Sequence, residues 1–74
     1  MNKSEVIADV EMKLDDPTWF DYSLLAGMLY DHVDPTDEPL RKLASLLSSG
    51  QYGCSRSDVK GLIELMKENT ERLS

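Results

Sequence analysis

The sequence predicts an all-α protein, a compact single-domain bundle of four short helices. Apolar residues recur at helical spacing along the chain and nowhere alternate with the period of two that marks a half-buried strand. Proline, glycine and short polar runs divide the chain into four segments with short connections, which favours antiparallel neighbours. One domain is expected over residues 1–74, because this length supports a single thin core. The helices are predicted at residues 5–15, 17–33, 37–49 and 57–73.

The first helix is predicted from its cap, its apolar face and the proline that ends it. Ser4 is the expected N-cap, because its hydroxyl can accept a hydrogen bond from an unpaired amide of the first turn. Pro17 cannot lie inside a helix without loss of a backbone hydrogen bond, so it is expected to open the second helix, with Asp16 as its cap. Asp9 and Lys13 are expected to pair on the outside. The predicted inner face comprises Val6, Ile7, Val10 and Leu14.

The second predicted helix, residues 17–33, is the most apolar segment of the chain. Drawn as a helix, its apolar residues cover an arc of about 240°, whereas a helix that rests one face on a core needs a stripe little more than about 100° wide. This helix is therefore expected either to be surrounded by neighbours or to offer a second apolar face to another molecule. The candidate stripe for that second face comprises Trp19, Tyr22, Ala26 and Tyr30.

Turn-forming residues separate the second and third helices. Asp34 and Pro35 favour a turn, and Thr36 or Asp37 is expected to cap the third helix. Gly50 is expected to end it, because glycine readily adopts the left-handed conformation that commonly follows a helix. The predicted inner face comprises Leu40, Leu43, Ala44 and Leu47.

The fourth helix is predicted after a loop at residues 51–55. Ser55 or Ser57 is the expected N-cap. Ser55 and Asp58 have the spacing of a capping box, in which two residues exchange hydrogen bonds between side chain and backbone. The predicted inner face comprises Val59, Leu62, Ile63, Met66 and Leu73.

No arrangement of residues predicts catalysis, and we expect a non-enzymatic protein without a cofactor. The single Cys and single His exclude a disulfide within the chain and a four-ligand zinc site of Cys and His. Cys54 lies near Arg56 and before a helix, which could activate its thiol, but a lone Cys is more often an apolar filler. His32 is expected to interact with the negative end of its helix.

A carrier function is a further alternative. Small acidic four-helix acyl carrier proteins attach a phosphopantetheine arm to the Ser of an Asp-Ser-Leu motif, and Asp21-Tyr22-Ser23-Leu24 differs from that motif by the inserted Tyr22. Ser23 also falls inside the second predicted helix. We therefore expect no prosthetic group.

An acidic cluster surrounds the predicted turn, and its carboxylates could gather around a hard cation. It comprises Asp31, Asp34, Asp37 and Glu38. An EF-hand loop counted from Asp31 needs Gly at its sixth position and Glu at its twelfth. The sequence has Thr36 and Lys42 there. Helix capping is therefore the preferred interpretation, and no metal site is expected.

The net charge of −6 is unevenly distributed. Residues 1–38 contain ten acidic and two basic residues, a balance of −8, whereas residues 39–74 contain four acidic and six basic residues, a balance of +2. Such a chain can be steered towards a basic partner or pair head to tail with itself. Direct nucleic-acid binding is not expected of it. No segment resembles a membrane span or a secretory signal, so no membrane association and a cytoplasmic location are expected.

These observations favour a small acidic protein-binding module, an adaptor or inhibitor that covers the surface of another protein. Trp and Tyr would serve as buried anchors, and the acidic residues would favour a basic surface. Small inhibitors that bacteriophages direct at host proteins or defence systems share this size and charge. The alternative is a structural homodimer, or a subunit of a larger assembly, that associates through the second helix. The candidate protein-binding residues are Trp19, Tyr22, Ala26, Tyr30, Asp31, Asp34, Asp37 and Glu38.

Overall fold

The computed structural model describes the backbone of residues 2–51 and 53–73 and the side chains of residues 2–51 and 53–68. Within these residues the chain forms four helices and no strand, so the predicted all-α four-helix bundle is confirmed. None of the described helices is both long and apolar enough to cross a bilayer. The helices are α1 (Lys3–Asp15), α2 (Tyr22–Tyr30), α3 (Glu38–Ser49) and α4 (Arg56–Leu73).

Helix α1 begins two residues earlier than predicted. Its N-cap is Asn2, whose side-chain oxygen accepts a hydrogen bond from the Glu5 amide at 2.9 Å. Ser4 lies inside the first turn, so its prediction as N-cap was wrong; Asn is an equally good cap and starts a longer helix. The predicted pair of Lys13 with Asp9 is confirmed, with 2.7 Å between Nζ and Oδ2. The predicted inner face is also buried, namely Val6, Ile7, Val10 and Leu14.

Helix α2 is much shorter than the predicted residues 17–33. Asp16 does not cap it: its carboxylate accepts hydrogen bonds from the amide and the hydroxyl of Thr18, at 2.9 and 2.7 Å, and so forms a local turn. Such a turn competes with helix formation for the same backbone amides. The N-cap is Asp21, which accepts from the Leu24 amide at 3.2 Å. Residues 16–21 are therefore a connection between α1 and α2.

The connection between α2 and α3 contains the same turn. The Asp34 carboxylate accepts from the Thr36 amide and hydroxyl at 2.9 and 2.7 Å, and the tripeptide Asp-Pro-Thr is common to both connections. This turn was predicted here and is confirmed. Asp37 is the N-cap of α3, and Gly50 follows that helix with φ +70°, as expected.

Helix α4 begins with the predicted capping box. The Ser55 amide donates to the Asp58 carboxylate at 2.9 Å, and the Asp58 amide donates to the Ser55 hydroxyl at 3.3 Å. Ion pairs join the helix to α1, with 3.1 Å between Lys67 and Glu11. The side chain of Leu73, predicted to face inwards, lies outside the described residues. The other predicted inner residues are buried, namely Val59, Leu62, Ile63 and Met66.

The short helix α2 lies at the centre of the bundle, in contact with each of the other three helices. Its residues Leu25, Ala26 and Leu29 are fully buried. The contact with α3 is the most extensive. The two helices approach closely at Gly27, where an added Cβ would already be in van der Waals contact with the Cβ of Ser48, at 3.8 Å. The inner face of α3 is formed as predicted: Leu40, Ala44 and Leu47 are buried, and Leu43 is partly buried.

Two glycine substitutions test the described interior of α4 and the described end of α3. Gly61→Ala should raise the free energy of unfolding by about 0.5–1 kcal/mol, because alanine favours a helix interior and the added Cβ meets no atom within 4 Å. Gly50→Ala should lower it by about 1 kcal/mol or more, because of the positive φ and a Cβ 3.2 Å from the Ser23 hydroxyl. Urea unfolding measures both. Stabilisation by Gly50→Ala would contradict the described end of α3.

Acid should weaken the fold through its side-chain caps. Hydrogen bonds from Ser55 hold the pKa of the Asp58 carboxyl below its ordinary value of 3.8. A lowered pKa in the folded state stabilises the fold above about pH 4, and this contribution is lost as pH falls through the folded value. The free energy of unfolding should therefore decrease from about pH 5 to about pH 3, and less steeply in Asp58→Asn. Glu64→Gln is the control, since no described ion pair includes Glu64.

Candidate functional site

The predicted aromatic stripe is not one exposed face of a helix. Trp19 lies before α2, in the connection from α1. Ala26 is fully buried in the core, so it is not available to a partner. Tyr22 and Tyr30 begin and end α2, and both are half-buried against the core. The prediction that these four residues form one stripe along a helix was wrong, because it assumed a helix that started at Pro17.

Trp19 closes one side of the core beside α1. Its ring packs partly buried against the core, and the ammonium of Lys13 lies 5.6 Å from the ring centroid. The Trp19 backbone amide donates to the Asp16 carbonyl at 3.1 Å, which holds the residue in its turn. Cation–π contacts of this kind contribute about 0.5–1 kcal/mol at exposed sites. Trp19 therefore anchors the connection between α1 and α2 against the core.

Tyr30 ties α2 to α3. Its hydroxyl accepts a hydrogen bond from the Arg41 guanidinium at 3.0 Å, and the guanidinium carbon lies 4.7 Å from the ring centroid. Arg41 also donates to the carbonyl of Val33 at 3.5 Å, just beyond the end of α2. The predicted stripe would have offered the Tyr30 hydroxyl to a partner. In the structure this hydroxyl is hydrogen-bonded to Arg41 within the molecule.

The exposed apolar surface around α2 involves two residues that the sequence interpretation did not select. Phe20, in the connection before α2, is 80% exposed, and Leu24, four residues later on the helix, is 51% exposed. Leu24, Met28 and Asp31 lie at i, i+4 and i+7, so they share one face of the helix. Met28 is half-buried and Asp31 is exposed. We call these three residues, together with Phe20 just before the helix, the outer face of α2.

Two members of the acidic cluster have local structural roles. Asp37 caps α3 and Asp34 forms the turn with Thr36, whose amide and hydroxyl hold the pKa of the Asp34 carboxyl below its ordinary value. Asp31 and Glu38 are exposed and take part in no described ion pair. No group of three or more potential metal-ligating side chains is arranged around a common point in the described part of the chain.

The nucleophile candidates show no activation. Burial raises the pKa of the Cys54 thiol, and the Asp58 carboxylate raises it further, which disfavours the reactive thiolate. The nearby Arg56 is paired instead with Asp15 at 3.4 Å. His32 is half-buried in the turn that ends α2, where its amide donates to the Leu29 carbonyl. Among the side chains that the structure describes, neither residue has the positioned partner that covalent catalysis needs.

Among the described residues, two open grooves run between α1 and α4. One is lined by apolar Ile7 and Ala8 with polar neighbours that include Lys67. The other contains Leu14 and Ile63 between charged residues. Neither groove includes a residue of the predicted site or of the outer face of α2.

Comparison of the chain with protein-family models gives no match, and searches of curated proteins and of solved structures give none either.

Removal of single hydroxyl groups tests the structural role of Tyr30. Tyr30→Phe should lower the free energy of unfolding by about 1 kcal/mol, because it leaves the Arg41 guanidinium without this acceptor and keeps the ring. Tyr22→Phe is the matched control, since no described hydrogen bond involves the Tyr22 hydroxyl, and it should change stability little. Urea unfolding of the two variants measures the difference. Equal effects would contradict the assignment.

Proposed function

We propose that this protein is a small non-enzymatic binding module, an adaptor or inhibitor that acts by covering a surface of another protein. The main support is the exposure of Phe20 and Leu24 on either side of the helix cap Asp21. Burial of apolar surface contributes about 25 cal/mol per Å², so a partner that covers both side chains gains more than it would from scattered polar contacts. Aromatic side chains near the centre of an interface often supply most of the binding energy.

The charge of the chain favours a partner with a basic surface. The outer face of α2 lies within residues 1–38, whose balance is −8. Opposite charges on two proteins raise the rate at which they associate, and like charges disfavour binding to other acidic proteins. We place this activity in the cytoplasm, where the lone thiol of Cys54 would remain reduced.

Surface coverage of this kind requires no chemistry from the module itself. An inhibitor that a bacteriophage directs at a host protein or defence system is one form that such a module can take. The pKa of the Cys54 thiol, raised by burial and by Asp58, adds support for a non-enzymatic role.

A homodimer, or a subunit of a larger assembly, is the second candidate. The same exposed apolar side chains favour it, because a second copy could cover them as well as a different protein could. The balance of −8 in residues 1–38 opposes a symmetric dimer through α2, because such a dimer brings the two acidic halves together. Light scattering over a range of concentrations separates the two candidates: a dimer that resists dilution supports the second, and a monomer supports the first.

The docking role predicts a position-dependent loss of binding. Phe20→Ser combined with Leu24→Ser should abolish capture of the partner from extracts of the source cells and leave the helical content unchanged, since both side chains are exposed. Quantitative mass spectrometry of the captured proteins measures the loss, and circular dichroism measures the helicity.

Leu46→Ser is the matched control for this experiment. Leu46 is 42% exposed, and its position on α3 is turned away from Arg41 and Ser48, which face α2. The control should retain every captured protein. Equal capture by the double variant and the unaltered chain would contradict the proposed docking role of the outer face.

A further inference from the structure

Asp31 occupies an electrostatically unfavourable position. It is the C-cap of α2, exposed on the outer face, at the end where the aligned peptide dipoles give a helix its partial negative charge. Cations stabilise this end of a helix and anions destabilise it. The last turn of α2 contains no basic residue. A carboxylate here therefore weakens the central helix of the bundle.

The described cations near this end of α2 form no ion pair with the carboxylate. Arg41 brings a positive charge to the same end of α2, where its guanidinium donates to the Tyr30 hydroxyl and the Val33 carbonyl and not to a carboxylate. No described ion pair includes Asp31. Three further acidic residues follow within seven positions along the chain: Asp34, Asp37 and Glu38. Lys3, which helps to lower the pKa of the Asp34 carboxyl, and Arg41 offset part of this negative charge, but neither pairs with Asp31 itself.

We propose that the outer face of α2 binds a basic amphipathic helix of another protein, whose apolar side chains cover Phe20 and Leu24 and whose Lys or Arg pairs with Asp31. This inference rests on the proposed function and specifies the partner. Leu24 and Asp31 are seven residues apart, about 10 Å along the helix axis. A partner helix matches that distance when an apolar and a basic residue lie two turns apart on one of its faces.

Charge distinguishes this partner from the other possible occupants. A nucleic acid would bring phosphates against Asp31 and its acidic neighbours, which repel them. In a symmetric dimer, a second copy would bring its own Asp31 and the acidic residues 1–38 against this face. A basic helix removes the unfavourable interaction at the end of α2 and covers the exposed apolar side chains in the same contact.

Two synthetic helical peptides serve as probes. One carries Leu and Lys two turns apart on one face, and the other has Glu in place of Lys. Each is titrated into the isotope-labelled full chain and followed by NMR. The Lys peptide should shift the amide signals of residues 20–31 most strongly and bind at least about fivefold more tightly than the Glu peptide. Equal affinities would overturn the proposal, and so would concentration-dependent shifts of these amides without peptide, which would identify a second copy as the occupant.

Charge reversal at Asp31 gives a test with two opposite readouts. Asp31→Lys should weaken binding of the Lys peptide about fivefold and at the same time raise the thermal midpoint by about 2–5 °C, because a cation suits the end of α2. Glu64→Lys changes the net charge equally on α4 and should leave the affinity nearly unchanged. An equal loss of affinity in both variants, or a lower thermal midpoint in Asp31→Lys, would overturn the proposal.

The Phe20→Ser and Leu24→Ser variant separates this inference from the proposed function. Loss of the cellular partner in that variant, together with full retention in Asp31→Lys, would leave the docking role standing and overturn the basic helix as the partner. Retention in both variants would contradict the docking role itself.

Discussion

The bundle depends on the burial of one face of α2, a helix of nine residues. An isolated helix of this length is marginal in water, so its stability comes from packing. Leu25, Ala26 and Leu29 are fully buried, and the helix contacts each of its three neighbours. Such a short helix can fill the centre only if residues beyond it extend the core. Trp19 does so before its first turn, and Val33 does so after its last.

The inner faces of α1, α3 and α4 could be predicted because their apolar residues follow the helical period. The starts of α3 and α4 also carry recognisable caps, whereas α1 is capped by Asn2 and not by the predicted Ser4. The error at α2 has a local cause. Pro17 is compatible both with the first position of a helix and with a turn. The tripeptide Asp-Pro-Thr occurs at residues 16–18 and 34–36 and forms the same turn twice. A turn at Asp34 therefore implied a turn at Asp16, and with it a helix that begins near Asp21.

The error in the geometry of the predicted aromatic stripe followed from that boundary. The wide apolar arc combined residues that do not belong to one helix, so it overstated how much of α2 could face a partner. Tyr30 contacts Arg41, eleven residues later, and no sequence spacing identifies such a pair between two helices. The exposure of Phe20 depends on how the connection lies against α1, which turn signals alone do not determine. The aromatic residue selected from the sequence was Trp19, whereas its neighbour Phe20 reaches solvent.

The outer face of α2 combines exposure with a rigid support. Leu24 is exposed and its neighbour Leu25 is fully buried, so the backbone that presents one side chain is fixed by the other. Phe20 lies between Trp19, which packs on the core, and Asp21, which caps the helix. Binding at such a surface requires little further ordering of the chain, and preorganisation of this kind favours affinity at a given contact area. The helix that holds the bundle together is thus also the element that presents the proposed docking surface.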